Sequence, residues 1–592
     1  MDSNDIVIGL VGSGGDGVVS AGEILVNAGA GEGLHSFMLK SFGPQIRGGE
    51  SSCRVRISEE QLFTHGDKVD VLGVFHWKDF KRFRGEMGLK NPLVIIQDES
   101  DKMSEDQIPI DESIEKIIYK VPLDQLAKEK AGTSLAKNMV MLGVMSQLFG
   151  IPGDGIRRAI RKKFAKKKQK VTDSNIAGFE AGADYVKENI TKSDSVNFTY
   201  KPAEPKVVME GNEAIAYGAF YAGCRFFAGY PITPSSEVME WMGRELPKYG
   251  GSMLQAEDEL AAIGMIIGAS FAGKKAMTAT SGPGLSLMSE QIGLASIAEL
   301  PIVIVDVQRG GPSTGIPTKT EQSDLMQALY GTHGDANRVV LAPVDVADCF
   351  DVTMEAFYIA EKYQIPVIVL SDQYLGHRKE TFESSDLIGN GNGSGKGFKK
   401  KIERVLPSDE EKENYQRFKM TDTGVSPITY PGIKGGMYQA AGIEHDEYGL
   451  PSSDTELHAK MDEKRYKKNQ YILEEIDFVR YYGPEDAEIG VLGWGSSKGA
   501  IKEAVLKLNK EGYSVKAAIP QALFPLATDK MEKFVHSVGK TLVVELSYTG
   551  QFHRYLTSML DLNGKKLGQY ARSGGSPLSV EEIYNRIKQE FE

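Results

Sequence analysis

Apolar runs that end on a glycine- or proline-rich turn and then pass into a helical pattern recur along this chain. "IVIGLVGSGGDGVVSAGEIL", "FFAGYPITPSSEVMEW", "KKAMTATSGPGLSLM" and "GVLGWGSSKGAIKEAV" all read this way. Near-continuous apolar strands belong in sheets covered on both faces, and parallel neighbours need a helix to carry the chain back. The repetition predicts an α/β protein with parallel sheets. In such sheets, ligands sit at the loops that follow the C-terminal ends of the strands.

At 592 residues the chain exceeds what one core serves. Changes in composition predict three α/β domains. Residues 1–190 form the first, which carries the basic helix "IRRAIRKKFAKKKQK", and residues 191–205, "TKSDSVNFTYKPAEP", read as a linker. Residues 206–380 form the second. Residues 381–470 open on the low-complexity "IGNGNGSGKGFKKK" and read as an irregular excursion, and residues 471–592 form the third domain.

A formal net charge of −12 argues against a general nucleic-acid binder, whose affinity rests on basic patches. Three widely spaced cysteines exclude a disulfide framework and a cysteine-ligated cluster held by this chain alone, and point to reducing cytoplasm. The start lacks the basic region of a signal peptide. The longest apolar stretch, Leu260 to Gly273, is too short to span a bilayer and reads as a buried helix.

Gly12-Ser-Gly14-Gly-Asp-Gly17 is a G-x-G-x-x-G between strand and helix. It suits a phosphate at a helix N-terminus, or a tight turn needed for packing. A nicotinamide site wants an acid about twenty residues on, where the chain has "LHSFMLKSFG". Arg47, Arg54 and Arg56 nearby could serve a phosphate-bearing ligand or pair with acids. In the second domain, Pro231 and Pro234 restrict the backbone around Thr233, and Ser235 or Ser236 is placed to cap the next helix. Glu257, Asp258 and Glu259 open an apolar helix, where acids either complement the helix dipole or, if buried, exchange protons with a cofactor. "QRGGPSTGIPTKTEQSD" places Arg309, Thr314 and Thr318 on a loop after a strand, and such an arginine suits a carboxylate.

Taken together, "GYPITPSSE", "QAEDELAAIG", "TSGPGLSLM" and "QRGGPSTGIPT" resemble the alpha subunit of the 2-oxoacid:ferredoxin oxidoreductases. "GSGGDGVVSAGEIL" with "SFGPQIRGGESSCRVRIS" looks like that family's gamma domain, fused in front, and "GVLGWGSSKGAIKEAV" with "LVVELSYTGQ" resembles the transketolase C-terminal-like domain. The resemblance covers nearly the whole chain. It implies that 206–380 is the pyrimidine-binding domain of a thiamine diphosphate enzyme. A separate beta subunit would hold the diphosphate, Mg2+ and a [4Fe-4S] cluster, in a heterodimer or a dimer of heterodimers. The implied reaction takes a 2-oxoacid, coenzyme A and oxidised ferredoxin to acyl-CoA, carbon dioxide and reduced ferredoxin, or runs in reverse as reductive carboxylation.

By the same resemblance Glu257 is the acid that bonds the cofactor pyrimidine, with an offset to Asp258 or Glu259 left open. Arg309 and Thr233 hold the substrate carboxylate, and Thr318 is a second substrate contact. The first domain would help enclose coenzyme A. "GIEHDEYG" also resembles a segment of these subunits, with no role attached. The fused arrangement favours 2-oxoglutarate over pyruvate. An indolepyruvate or oxalate enzyme of the same chemistry, a non-catalytic scaffold subunit and a nicotinamide dehydrogenase are the competing readings.

Overall fold

In a computed structural model of the chain, the described residues are 2–43, 49–387, 398, 400–476 and 478–592. They form two compact units, Met1–Glu210 with His377–Asp386, and Gly211–Gly376 with Leu387–Glu592.

The first unit is built on an eight-stranded sheet. Its order is Lys116–Val121, Gly88–Asp98, Lys68–Val74, Asp5–Ser13, Glu50–Ser58, His35–Phe42, Lys379–Phe382 and Val207–Glu210. The first four strands run parallel, as the sequence pattern predicts. The other half is antiparallel, because the link from Phe42 to Glu50 is too short for a crossover. The helix Val18–Gly31 packs on this sheet, with Gly22 against Met38 and Cys53 and Gly29 against Ser36. Two strands at the two ends of the expected second domain, the later one crossing its boundary at 380, complete the sheet: Val207–Glu210 pairs with Lys379–Phe382, which pairs with His35–Phe42. Both are only four residues long, so periodicity carries no sign of which sheet they join. The expected linker likewise includes Asn197–Phe198, which pairs with Asp2–Ser3. The basic helix Gly153–Phe164 binds acids of its own unit: Arg157 to Glu180, Arg158 to Glu32 and Lys163 to Glu23.

The second unit holds a seven-stranded sheet in the order Ser252–Gln255, Phe226–Gly229, Ala276–Thr280, Ile302–Gln308, Pro366–Asp372, Val339–Leu341 and Ala522–Phe524. The first six are parallel, and the last is antiparallel and comes from the C-terminal region. A five-stranded sheet follows, in the order Val479–Tyr482, Val515–Pro520, Ile489–Leu492, Lys540–Glu545 and Leu567–Ala571. The two sheets share a core in which Ile304 and Ile368 belong to the same cluster as Trp494 and Phe552. Gln322 fastens them further, donating to the Trp494 carbonyl at 2.9 Å and accepting from the Leu546 amide at 2.9 Å. All three large sheets are mixed.

The described residues from 400 to 454 are largely irregular, and they lead to the helix Thr455–Glu475, which the sequence does not announce. Asp454 caps it through the amides of Glu456 and Leu457. Its inward stripe is Met461, Lys464, Arg465, Lys468 and Ile472. The two lysines are buried because Glu299, 1% exposed, meets Lys464 at 2.7 Å and Lys468 at 2.5 Å. Arg417 adds a bond to the Glu299 carbonyl at 2.7 Å. Burial works to raise the Glu299 carboxyl, but the two ammonium groups and Arg417 hold it well below its ordinary range. Burial lowers Lys468 to about 7.

Candidate functional site

The turn after Phe226–Gly229 carries Thr233, and the end of Ile302–Gln308 carries Arg309. The fold brings these two together. Arg309 is 6% exposed, and its Nη1 donates to the Thr233 carbonyl at 2.5 Å. Its Nε has no hydrogen-bond partner among the described residues. The turn is braced from below by Asn212, fully buried, whose amide donates to the Pro234 carbonyl at 2.7 Å. Ser235 sits at the cap position of the helix Ser236–Glu245 but does not cap it. Its hydroxyl turns back to the Ile232 carbonyl at 3.0 Å and tightens the turn. Thr233 itself is exposed.

The three acids at the start of the helix Glu259–Phe271 have three different surroundings. Asp258 is the cap, accepting from the Ala261 amide at 2.8 Å. Glu257 precedes the helix and is exposed, so the expected position for a buried cofactor acid is not buried in this chain. Glu259 is the buried one, 5% exposed. The cap fixes the register: with Asp258 outside, Glu259 joins the inward stripe of Ala262, Ile263, Ile266 and Ile267. Gly284 leaves room for its carboxyl, since a Cβ there would stand 2.6 Å from Glu259 Oε1. No hydrogen bond from the described residues reaches that carboxyl, and Glu259 acts electrostatically on Arg309. The opposite face of the helix is open to solvent: Leu260 and Met265 are exposed, as are Leu254 and Leu287 on neighbouring elements. The helix expected to be buried thus has one buried face and one exposed face.

Beneath Arg309 lies a feature the sequence reading did not single out. Asp306, in the middle of an otherwise apolar strand, is fully buried and meets the carboxyl of Asp324. Burial and the neighbouring acid push Asp306 well above the ordinary carboxyl range, and burial raises Asp324 to about 6. Burial lowers the Arg309 guanidinium, while Asp324, Asp306 and Glu259 oppose that.

Thr318 lies half-buried at the far end of the loop, whose residues 311–317 are exposed and which is closed by pairing of Gly310 with Ile316. It makes none of the contacts that join Arg309 to Thr233. Thr314 is on the exposed tip.

In the first unit the Gly12–Gly17 loop is filled by its own side chain. Asp16 Oδ2 accepts from the Ser13 amide at 2.7 Å, and Lys137 meets Oδ1 at 2.7 Å. Asp16 thereby ties down the turn, and Gly17, at φ 75° against Asn138, is required by packing. Arg56 is paired with Asp5 at 2.7 Å, and Arg54 donates to the Gly66 carbonyl at 2.7 Å. Arg47 lies outside the described residues. In the segment "GIEHDEYG", Glu444 meets Arg465 at 2.6 Å and His458 at 2.5 Å, while His445 is buried against Phe418. Glu444, His458 and Asp462 are close enough to hold a cation, but Arg465 already pairs with both acids.

Two family models match the chain. "Pyruvate flavodoxin/ferredoxin oxidoreductase, thiamine diP-bdg" covers residues 217–464, and "Pyruvate ferredoxin/flavodoxin oxidoreductase" covers residues 7–185. A 2-oxoglutarate synthase subunit KorA from Methanocaldococcus jannaschii is 42% identical over 58% of this chain and 89% of its own length. The alpha subunit of 2-oxoacid:ferredoxin oxidoreductase 2 from Aeropyrum pernix is 30% identical over 99% of this chain and 98% of its own. Among solved structures, a 2-oxoglutarate:ferredoxin oxidoreductase from Magnetococcus marinus, with 2-oxoglutarate, coenzyme A and succinyl-CoA bound, superposes with a TM-score of 0.92. It is 37% identical, and the match covers 100% of both chains.

Proposed function

This chain belongs to the 2-oxoacid:ferredoxin oxidoreductase family as an alpha subunit with a gamma-type domain in front, and we propose that it supplies the substrate clamp and the cofactor-facing acid of a 2-oxoglutarate:ferredoxin oxidoreductase. The reaction converts a 2-oxoacid, coenzyme A and two oxidised ferredoxins to acyl-CoA, carbon dioxide, a proton and two reduced ferredoxins. The observation that carries the reading is the bond from buried Arg309 to the Thr233 carbonyl, beside buried Glu259. Preference for 2-oxoglutarate follows the relatives that bear that name.

The chain's donor set fits the pyrimidine end of thiamine diphosphate. Glu259 is a buried acceptor to which no described residue donates a hydrogen bond, with a glycine beside it that leaves space. When bound, thiamine diphosphate would supply the carbanion chemistry of decarboxylation. Glu259, in place of the exposed Glu257, would accept a hydrogen bond from a ring nitrogen and hold a proton there. Arg309 keeps its charge and offers its Nε to the substrate carboxylate, held in aim by the Thr233 carbonyl. Thr233 would be a further contact with the substrate, and Thr318, half-buried at the far end of the loop, would be a second.

Leu254, Leu260, Met265 and Leu287, exposed around Glu259, support a site completed by a partner beta subunit. That subunit would bring the diphosphate-binding domain, Mg2+ and the [4Fe-4S] cluster, since this chain has three cysteines where such a cluster needs four thiolates. The assembly would be a heterodimer or a dimer of heterodimers in the cytoplasm, and ferredoxin the electron acceptor. Coenzyme A would be enclosed with help from the first unit.

The test is Arg309→Lys in the chain reconstituted with its beta subunit. Loss of the planar fork at a buried site raises KM for the 2-oxoacid by roughly 30-fold or more, with assembly intact. Unchanged kinetics would favour a scaffold role, and a panel of pyruvate, indolepyruvate and oxalate would reassign the substrate if one of them outran 2-oxoglutarate. Glu259→Gln lowers kcat, whereas Glu257→Gln having the larger effect would return the acid's role to the exposed position.

A further inference from the structure

Asp306, within the strand Ile302–Gln308, and Asp324, just before the helix Leu325–Tyr330, are left with few partners of their own. Neither oxygen of Asp306 receives a hydrogen bond from another described group, and neither does Asp324 Oδ2. Asp324 is at the cap position of the short helix Leu325–Tyr330 yet does not cap it. Gln551 takes that task, accepting from the Met326 amide at 2.9 Å and donating to the Ser323 carbonyl at 2.6 Å. The Asp324 carboxyl is thereby released to turn inward, and Gly282 makes the space: a Cβ there would come within 2.7 Å of Asp324 Oδ2. Several parts of the fold are thus arranged to press two acids together under a buried arginine.

Two carboxyls in contact away from water do not both ionise, since like charges at that separation are too costly. They keep one proton between them and titrate as a pair. The charged groups that face them are Arg309 on the same strand end, Glu321 on the loop before Asp324, and Glu259, which acts on Arg309 from its own helix. Ser323 adds a hydroxyl bond to Asp324 Oδ1 at 3.2 Å.

We propose that Asp306 and Asp324 share one proton and, as a pair bearing a single negative charge, weaken the hold of Arg309 on the substrate carboxylate so that it can leave as carbon dioxide. The proposal rests on the reading of Arg309 as the substrate clamp. A bare guanidinium in this pocket would bind the ground-state carboxylate tightly and slow its loss, because binding that is not strengthened in the transition state does not raise turnover. The two aspartates are positioning residues, acting through the arginine.

The sign follows from the charge. With Asp324 raised to about 6, the pair keeps its single charge above that pH and loses it as the pH falls through it. In the reconstituted complex, KM for the 2-oxoacid is therefore expected to fall between pH 7.5 and pH 5.5, with kcat falling too. Asp324→Asn is expected to lower KM about tenfold at pH 7.5, reduce kcat and flatten that pH dependence. A merely structural role would raise KM or prevent assembly. The shared proton is read directly, without activity, as a protonated-carboxyl C=O band in the wild-type minus Asp306→Asn infrared difference spectrum at pH 7.5. No band means two ionised carboxylates and overturns the proposal. So does a band accompanied by unchanged or higher KM in Asp324→Asn while Arg309→Lys raises KM. If Arg309→Lys leaves KM unchanged, both readings fall, and a persisting band places the fault with the clamp. Should Asp324→Asn not assemble, the wild-type pH profile decides: a falling KM supports the pair and a flat one overturns it.

Discussion

Replacing Glu299 with glutamine should unlatch the helix Thr455–Glu475. Glu299 is the shared counter-ion of Lys464 and Lys468, and all three side chains are at most 2% exposed. Removing one partner of a buried ion pair costs about 3–5 kcal/mol, chiefly because the charge left behind stays buried. Lys468, already lowered to about 7, can shed its proton cheaply at pH 8, so Lys464 carries most of the penalty and the loss belongs near the lower end, about 3 kcal/mol. The wild-type carboxyl is held well below 4.5, so its contribution is present at neutral pH and is lost only as the pH falls through that lowered value. One kcal/mol moves a melting midpoint by roughly 2–4 °C in a domain of 150–250 residues and by less in a larger unit. A drop of about 3 °C or more is therefore expected, with faster hydrogen exchange across residues 455–475. Replacing Glu299, Lys464 and Lys468 together by methionine should recover much of the loss, since an apolar substitute removes the buried charges as well as their pairing. Were Glu299→Gln to melt within a degree of wild type with the helix still protected from exchange, the lock as described would be wrong.

Two further outcomes are open to measurement. Gly17→Ala forces a side chain into φ 75° and against the Asn138 amide, and should destabilise the first unit by about 2 kcal/mol or more in urea unfolding. Adding Asn138→Ala should recover only the part due to the collision. His458, bonded to Glu444 and beside Asp462, should titrate above 6.5 by NMR, so the tie it makes is present below that pH and is lost as the pH rises through the raised value. Glu444→Gln should bring it back toward 6.5.

Much of the site can be read in the sequence because its parts are loops at strand ends. Arg309 and Thr233 follow strands whose apolar runs are plain, and the fold rule for such sheets brings their C-terminal ends to one edge. The choice among Glu257, Asp258 and Glu259 is harder, because it depends on which residue caps the helix. A signal was nevertheless present: Glu259 falls on the same stripe as Ala262, Ile263, Ile266 and Ile267, and Glu257 does not. Asp306 is visible as an acid inside "IVIVDVQ", but its pairing with Asp324 arises only from the fold. The helix Thr455–Glu475 is hidden for another reason. Its inward stripe contains Lys464, Arg465 and Lys468, so a reading by hydrophobic period sees a solvated face, and the carboxylate that makes burial tolerable lies more than 160 positions away.

The pairing of Lys379–Phe382 between His35–Phe42 and Val207–Glu210 sets an order on synthesis. As the chain leaves the ribosome, the first unit has most of its strands early, but His35–Phe42 waits for its neighbour until residue 382 has emerged. By then the six parallel strands of the second unit are already out, still without the strand at 522–524 that covers Val339–Leu341. Two half-finished sheets therefore coexist for a time, each with an uncovered rim that invites pairing with another nascent copy. A chain wired in this way has reason to depend on slow translation or chaperone cover through its middle third.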